Sequence, residues 1–260
     1  MSTDTWNPTQ YDKFQREREQ PFYDLVAMIQ PSAGMRTVDL GCGTGKLTRQ
    51  LHERLQARET LGLDRSARML SEQDGTALPP GLTFRNETVE AFLERDGAYD
   101  LIFSNAVYHW IEDHPALLAR LAMKLAPGGQ LAFQVPAMQG DPSHLVADAL
   151  SGEEPFASAL GNWRRANTVL TADEYSRHLY RLGFAAPRAC LMIYPHVLTN
   201  RDAVVEWVKG TLLAEYEKRM APDLFARFVE EYRARLLPRF EDTRPFFYPF
   251  KRVLCWGQRA

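Results

Sequence analysis

Cysteine is scarce: Cys42, Cys190 and Cys255 are the only three in 260 residues. They lie far apart with no paired spacing, which excludes a disulfide framework and a zinc site of the Cys-x-x-Cys kind. No run approaches the roughly 18 apolar residues of a membrane span. The N-terminal stretch MSTDTWNPTQYDKFQRERE is polar where a signal peptide needs an apolar segment. Positive charge is not in excess either: the formal net charge is -2, whereas a nucleic-acid binder is expected to be basic. Repeats and low-complexity tracts are absent. These absences leave a soluble protein of a reducing cytoplasm as the expectation, with no metal, no membrane and no nucleic acid among its partners. Hydrophobic residues at 45% and charged residues at 25% place the chain among globular proteins able to bury a core.

What is present is an alternation. Between Thr37 and Val135 the short apolar runs TVDL, TLGLD, LTFRN, YDLIFSN and GQLAFQVP read as strands. Helical segments lie between them, among them Lys46 to Gln56 and Pro115 to Leu125, the latter closed by APGG, whose Pro127 and Gly128 cannot continue a helix. Apolar strands of this kind are covered on both faces, which predicts a mostly parallel, doubly wound α/β sheet. Beyond Val135 the pattern loosens until LTADEYSRHLYRLGF, where Thr171 and Glu174 predict a capping box. ACLMIYPHVL and the terminal FKRVLCWGQR are two further strands, placed side by side at one edge. Residues 200 to 240 read as two amphipathic helices split by Pro222. The core is expected at about 30–135, 171–199 and 246–260, with insertions at about 136–170 and 200–245 forming either a cap over the site or a solvated appendage.

The strand TVDL runs into GCGTG and then directly into a helix, the turn at which open α/β sheets bind nucleotides. Two phosphate-binding templates fail. Walker A needs a glycine where Leu40 stands, and Leu47 follows Lys46 where Ser or Thr is required. The dinucleotide fingerprint needs a glycine at position 46, which is Lys46, and this argues against a nicotinamide oxidoreductase. What remains is Gly41, Gly43 and Gly45 preceded by Asp39, an acid that repels a pyrophosphate and suits a ligand bearing an ammonium group. Asp64, at the end of LGLD, stands where a carboxylate accepts from both ribose hydroxyls.

In order, VDLGCGTG, LGLDRSARML, FRNETVEAF, YDLIFSNAVYHWI and LAPGGQLAF resemble the class I S-adenosylmethionine-dependent methyltransferases. The resemblance implies a Rossmann-like seven-stranded doubly wound sheet with an antiparallel last strand and a helical cap. It implies S-adenosyl-L-methionine as cofactor, with Gly41, Gly43 and Gly45 on its methionine and ribose part and Asp64, with Arg65 beside it, at the ribose. Glu87 and the backbone of Thr88 take the adenine edge, and Asn105 lies beside the transferable methyl. The opening TWNPTQYDKFQREREQP, together with NAVYHWIEDH, FQVP, VVEWVKGT and YPFKRVLCWGQR, is similar to the trans-aconitate methyltransferases. One departure stands out: the Arg-Pro of that group is replaced here by LLAEY, Leu212 to Tyr216, although a substrate with several carboxylates favours a guanidinium there.

These readings predict methyl transfer to a carboxylate of a small organic acid such as trans-aconitate, by a monomer or homodimer. An ionised carboxylate needs no general base. The alternatives are an N-, O- or C-methyltransferase for another small metabolite, or a non-catalytic S-adenosylmethionine-binding protein. His109 and Trp110 follow the fourth strand and are expected at the substrate, His109 as a partner for a carboxylate, as a base, or as a structural side chain. Tyr11 and Arg18 of the first helix either close over cofactor and substrate or belong to an ordinary amphipathic face. Arg164, Arg165 and Arg244 are carboxylate clamps or surface charge. Cys42 is a small filler in the loop, and RPFFYPF packs a core or walls a pocket.

Overall fold

Continuous apolar runs cannot leave either face of a sheet in water, and each run between Arg36 and Pro136 becomes a strand. The computed structural model describes residues 15–73 and 77–260. β1 (Arg36–Leu40), β4 (Tyr99–Asn105) and β5 (Leu125–Pro136) are buried over most of their length. β2 (Glu59–Asp64) and β3 (Leu82–Asn86) lie outward of β1, and the long strands β6 (Phe184–Leu198) and β7 (Phe246–Arg259) lie outward of β5. The order is β3-β2-β1-β4-β5-β7-β6. The first five strands pair in parallel, and β7 runs antiparallel to β5. This is the seven-stranded sheet expected, with the last two strands neighbours at one edge. Because β1 is flanked by β2 on one side and β4 on the other, the chain order reverses there, and the carboxyl ends of β1 and β4 are where sheets of this kind take ligands.

Helices follow the strands as α1 (Gln15–Val26), α2 (Lys46–Leu55), α3 (Ala67–Leu70), α4 (Val89–Glu94) and α5 (His114–Met123). α2 buries Thr48, Leu51, His52 and Leu55, the spacing of a single helical face. It stops at Gln56, whose φ of 48° cannot continue the helix. α5 ends earlier than the sequence predicts. APGG is part of β5, not a helix stop: Tyr99 pairs with Leu125 and Leu101 with Gln130, so residues 126–129 bulge out opposite Asp100 alone. Gly128, at φ 72°, turns the backbone within this bulge.

The chain divides into two compact units. Among the described residues, one comprises 18–73, 77–136, 168–192 and 252–260, and the other 15–17, 137–167 and 193–251. The first carries the parallel strands together with α8 (Ala172–Arg181), whose N-terminus is the capping box expected: Thr171 Oγ1 accepts from Glu174 N, and the Glu174 carboxylate accepts from Thr171 N at 2.8 Å. The second unit is built on α6 (Pro142–Leu150), α7 (Phe156–Ala159), α9 (Ala203–Lys209), α10 (Ala214–Glu217) and α11 (Pro222–Leu236). Its core holds Phe156, Trp207, Tyr216, Phe228, Tyr232 and Tyr248. The segment expected to be one helix from 200 to 220 is two, because Gly210 caps α9 and the Val208 carbonyl accepts from both Thr211 N and Leu213 N. The turn buries Leu212 and Leu213, which a straight continuation through a glycine would not favour. Among the described residues no helix is long and apolar enough to cross a membrane.

The capping box gives a direct test of how α8 is held. Thr171→Ala removes the hydroxyl that accepts from Glu174 N and is expected to lower unfolding free energy by about 1 kcal/mol. Urea denaturation should show a lower midpoint at unchanged slope, and an unchanged midpoint would contradict this.

Candidate active site

The turn between β1 and α2 is held open by β2. Gly41 N and Cys42 N both donate to the Leu63 carbonyl, at 2.7 and 2.8 Å, and Gly43 N donates to Asp64 Oδ2 at 2.8 Å. With these bonds made, Gly41, Gly43 and Gly45 adopt φ of 77°, 58° and 74°. Gly41 is required twice over: its φ is positive, and a Cβ there would lie 2.1 Å from Val107 Cγ2. The Val107 side chain at the end of β4 therefore packs directly against the Gly41 main chain.

Asp39 lies beneath this strip, 3% exposed. Thr48 Oγ1 donates to its Oδ2 at 2.6 Å, while its Oδ1 is buried with no partner among the described residues. Burial pushes its carboxyl up to about 7; the Thr48 bond opposes the rise and the negative charge of Asp64 adds to it. A cation above the loop meets Asp39 through its field rather than by contact. The same burial, with Asp39 and Asp64 nearby, pushes the Cys42 thiol up, so Cys42 fills space and is no nucleophile at neutral pH.

Asp64 closes the outer side. Its Oδ1 accepts from Ser66 N at 2.8 Å, and each of its two oxygens keeps a lone pair for a hydroxyl. Arg65 beside it is exposed. At the end of β3, Glu87 N donates to the Asp64 carbonyl at 3.0 Å. The Glu87 carboxylate pairs with Arg95 at 2.9 Å and Arg85 at 3.7 Å, both through Oε2, and Thr88 caps α4.

At the end of β4, Asn105 Oδ1 accepts from Gln134 Nε2 at 2.6 Å. Ala106 then takes a positive φ of 61°, a strained conformation for a residue with a Cβ, and this swings Val107 onto Gly41. The following turn, Tyr108–Trp110, is tied down by His114. A carbonyl can only accept, so His114 Nε2 donates to the Tyr108 carbonyl at 2.9 Å and its Nδ1 accepts from the Tyr175 hydroxyl. Burial lowers the His114 pKa, keeping the ring in this neutral form. His109 and Trp110 project from the turn with ring centroids 4.6 Å apart, and Trp110 is 41% exposed.

Asp39, Gly41, Gly43, Gly45 and Asp64 thus lie in and around the β1–α2 turn, Glu87 and Thr88 follow β3 beside Asp64, and Asn105, His109 and Trp110 lie at the end of β4 and on the turn after it. Tyr11 and the side chain of Arg18 lie outside the described residues. In the second unit Arg165 binds Asp148 through two nitrogens, at 3.3 and 3.2 Å, and Arg164 donates to Ser151 Oγ at 3.0 Å. Arg244 is exposed, and Phe246, Tyr248 and Phe250 pack in that unit's core. Sequence reading missed Gln134 and His114. The signal for Gln134 was a lone amide in the apolar run LAFQVP; His114 has none, since its partners Tyr108 and Tyr175 are set by the tertiary fold. Among the described residues no group of three or more His, Cys, Asp or Glu is placed to hold a metal ion.

Comparison with known proteins shows the family and the fold. Residues 11–185 match a family described as a methyltransferase domain. The chain is 41% identical to the trans-aconitate 2-methyltransferase of Deinococcus radiodurans, with 98% of each chain covered. It is 35% identical to the protein of the same name from Variovorax paradoxus, over 96% of this chain and 95% of that one. Among solved structures, the YcgJ protein of Bacillus subtilis superposes with a TM-score of 0.60 at 16% identity, covering 93% and 99% of the two chains. An S-adenosylmethionine dependent methyltransferase from Mesorhizobium loti gives 0.51 at 22% identity, covering 93% and 98%.

The buried carboxyl of Asp39 makes stability depend on pH. The folded state holds this proton more tightly than the unfolded chain, so the stabilisation is complete below the ordinary carboxyl value of 3.8 and is lost as pH rises toward about 7. Asp39→Asn lacks this titration. Between pH 5 and pH 8 the unfolding free energy of the variant is expected to gain on wild type by about 2–3 kcal/mol. Parallel pH curves for the two proteins would refute the buried-acid assignment.

Proposed function

The chain belongs to the methyltransferase-domain family, and from that premise we propose that it is an S-adenosylmethionine-dependent enzyme that methylates a carboxylate of a small organic acid. The observation that carries the reading is the strip Gly41–Gly45, pinned open by Leu63 and Asp64 over the buried Asp39. These residues suit a sulfonium nucleoside: Asp64 keeps lone pairs for ribose hydroxyls, and the Asp39 oxygen without a partner among the described residues puts negative charge under the loop as pH rises through about 7. A diphosphate would meet that charge unfavourably. When bound, S-adenosylmethionine supplies a methyl group on a positively charged sulfur, which leaves as a neutral thioether while the acceptor oxygen forms the new O–C bond.

The chain's own residues position and enclose. Gly41 to Gly45 present main chain to the nucleoside, and Asp64 takes its ribose hydroxyls with the lone pairs left free by Gly43 N and Ser66 N. Asn105 and the Tyr108–Trp110 turn border the space where the acceptor lies in line, and orientation of this kind supplies much of a displacement's rate. A carboxyl group is ionised at neutral pH, so the acceptor brings its own nucleophile and His109 orients it rather than deprotonating it. Trans-aconitate is the acceptor named for the relatives from Deinococcus radiodurans and Variovorax paradoxus, and a polycarboxylate of that kind is our first choice. A cytoplasmic, soluble protein taking a small-molecule acid fits this chemistry.

The test is purified protein with methyl-labelled cofactor and a panel of di- and tricarboxylates. Base-labile methyl esters are expected; label on amines or phenols and on no acid would overturn the carboxylate reading. Asp64→Ala should weaken cofactor binding by about 1–3 kcal/mol, and an unchanged Kd would remove Asp64 from the ribose. His109→Ala is expected to raise KM for the acid and leave kcat within about threefold; loss of kcat at unchanged KM would make His109 the base instead.

A further inference from the structure

Gln134 sits on β5 directly opposite Asn105 on β4, and it is 1% exposed. A buried primary amide has to satisfy both its ends. One end is set by chemistry alone. Arg252, on β7 and 5% exposed, carries donors only, so the Gln134 oxygen must face it, and Arg252 Nη1 donates to Gln134 Oε1 at 3.0 Å. The Gln134 nitrogen is thereby turned toward Asn105, whose Oδ1 accepts from it at 2.6 Å.

That in turn orients the second amide. With Oδ1 accepting, Nδ2 is the end that Asn105 offers elsewhere, and it has no partner among the described residues. The main chain keeps the pair in register, since Ala106 N donates to the Gln134 carbonyl at 3.0 Å. An arginine stays protonated across any working pH, so the direction of the relay does not invert.

We propose that Arg252 and Gln134 are positioning residues that fix Asn105 as an N–H donor at the end of β4, so that the group it meets is an anionic oxygen and not an amine nitrogen. This rests on the carboxylate reading above. A carboxylate oxygen has lone pairs enough to accept from Asn105 with one and attack with another. A neutral amine has a single lone pair, which the new bond consumes, and its own N–H groups need acceptors that this relay withholds. Asn105 therefore selects between two acceptor classes by the end of its amide that faces outward, and Gln134, itself out of solvent, decides which end that is.

Gln134→Glu tests this because a glutamate keeps the shape and the Arg252 partner but accepts at both oxygens. It would draw Asn105 Nδ2 toward itself and turn Oδ1 outward. With an acid that wild type esterifies, kcat/KM is expected to fall about 30- to 100-fold, chiefly in kcat, with cofactor Kd within about threefold of wild type. Gln134→Met removes the lock without inverting it and should cost about three- to tenfold. Activity of Gln134→Glu within twofold of wild type would overturn the relay while the carboxylate reading stands. Wild type that methylates amines and no acid would sink the parent reading, and the relay's role with it. If Gln134→Glu does not bind cofactor, Asn105→Asp keeps the bond from Gln134 Nε2 and places an acceptor outward; at least about a 100-fold loss supports the proposal, and retained activity refutes it.

Discussion

Everything at the crevice depends on β2 supplying acceptors to main chain that has lost its own. A turn that passes straight from a strand into a helix leaves peptide N–H groups without ladder partners, and the Leu63 carbonyl and Asp64 carboxylate take three of them, from Gly41, Cys42 and Gly43. Those bonds hold the loop against the end of β4, where the Val107 side chain fills the space that a Cβ at Gly41 would need. The same carboxylate then does a second task, holding Ser66 at the start of α3. Order in the loop and order in the neighbouring turn are one hydrogen-bond system, so a ligand on Asp64 feels both.

Charge under the loop has a cost that the fold accepts. Asp39 is buried with one oxygen bonded to Thr48 and the other to no group among the described residues, which in a purely structural site would be a defect. Its location under the strip makes it a means of favouring positive over negative ligands, and strained backbone nearby points the same way: Ala106 at φ 61° sits at the end of β4, where the chain must bend to bring Val107 against Gly41. Such departures from relaxed geometry concentrate where a protein binds or reacts.

Much of this was legible in the chain before any coordinates. The strand order, the adjacency of the last two strands and the capping box at Thr171 are local patterns, and so is the acid–glycine turn. What sequence reading missed are pairings over distance. APGG carried helix-stop signals that are equally those of a bulge, and only the pairing of Tyr99 with Leu125 distinguishes them. Residues 200–220 look like one amphipathic helix until burial of Leu212 and Leu213 breaks it at Gly210. The relay from Arg252 through Gln134 spans 118 residues, and nothing local marks its ends except a polar residue in each of two apolar strands. In the second unit, Arg165 reads as a clamp or as surface charge, and its two bonds to Asp148 are a pairing over distance that the sequence does not mark.

The central claim is that a negatively underlain strip of bare peptide selects a sulfonium nucleoside over a dinucleotide. Isothermal titration calorimetry of the intact protein with S-adenosylmethionine and, separately, with NAD tests it most directly. Saturable one-to-one binding of S-adenosylmethionine with no measurable heat from NAD is the result predicted. Uptake of NAD with indifference to S-adenosylmethionine would contradict the account.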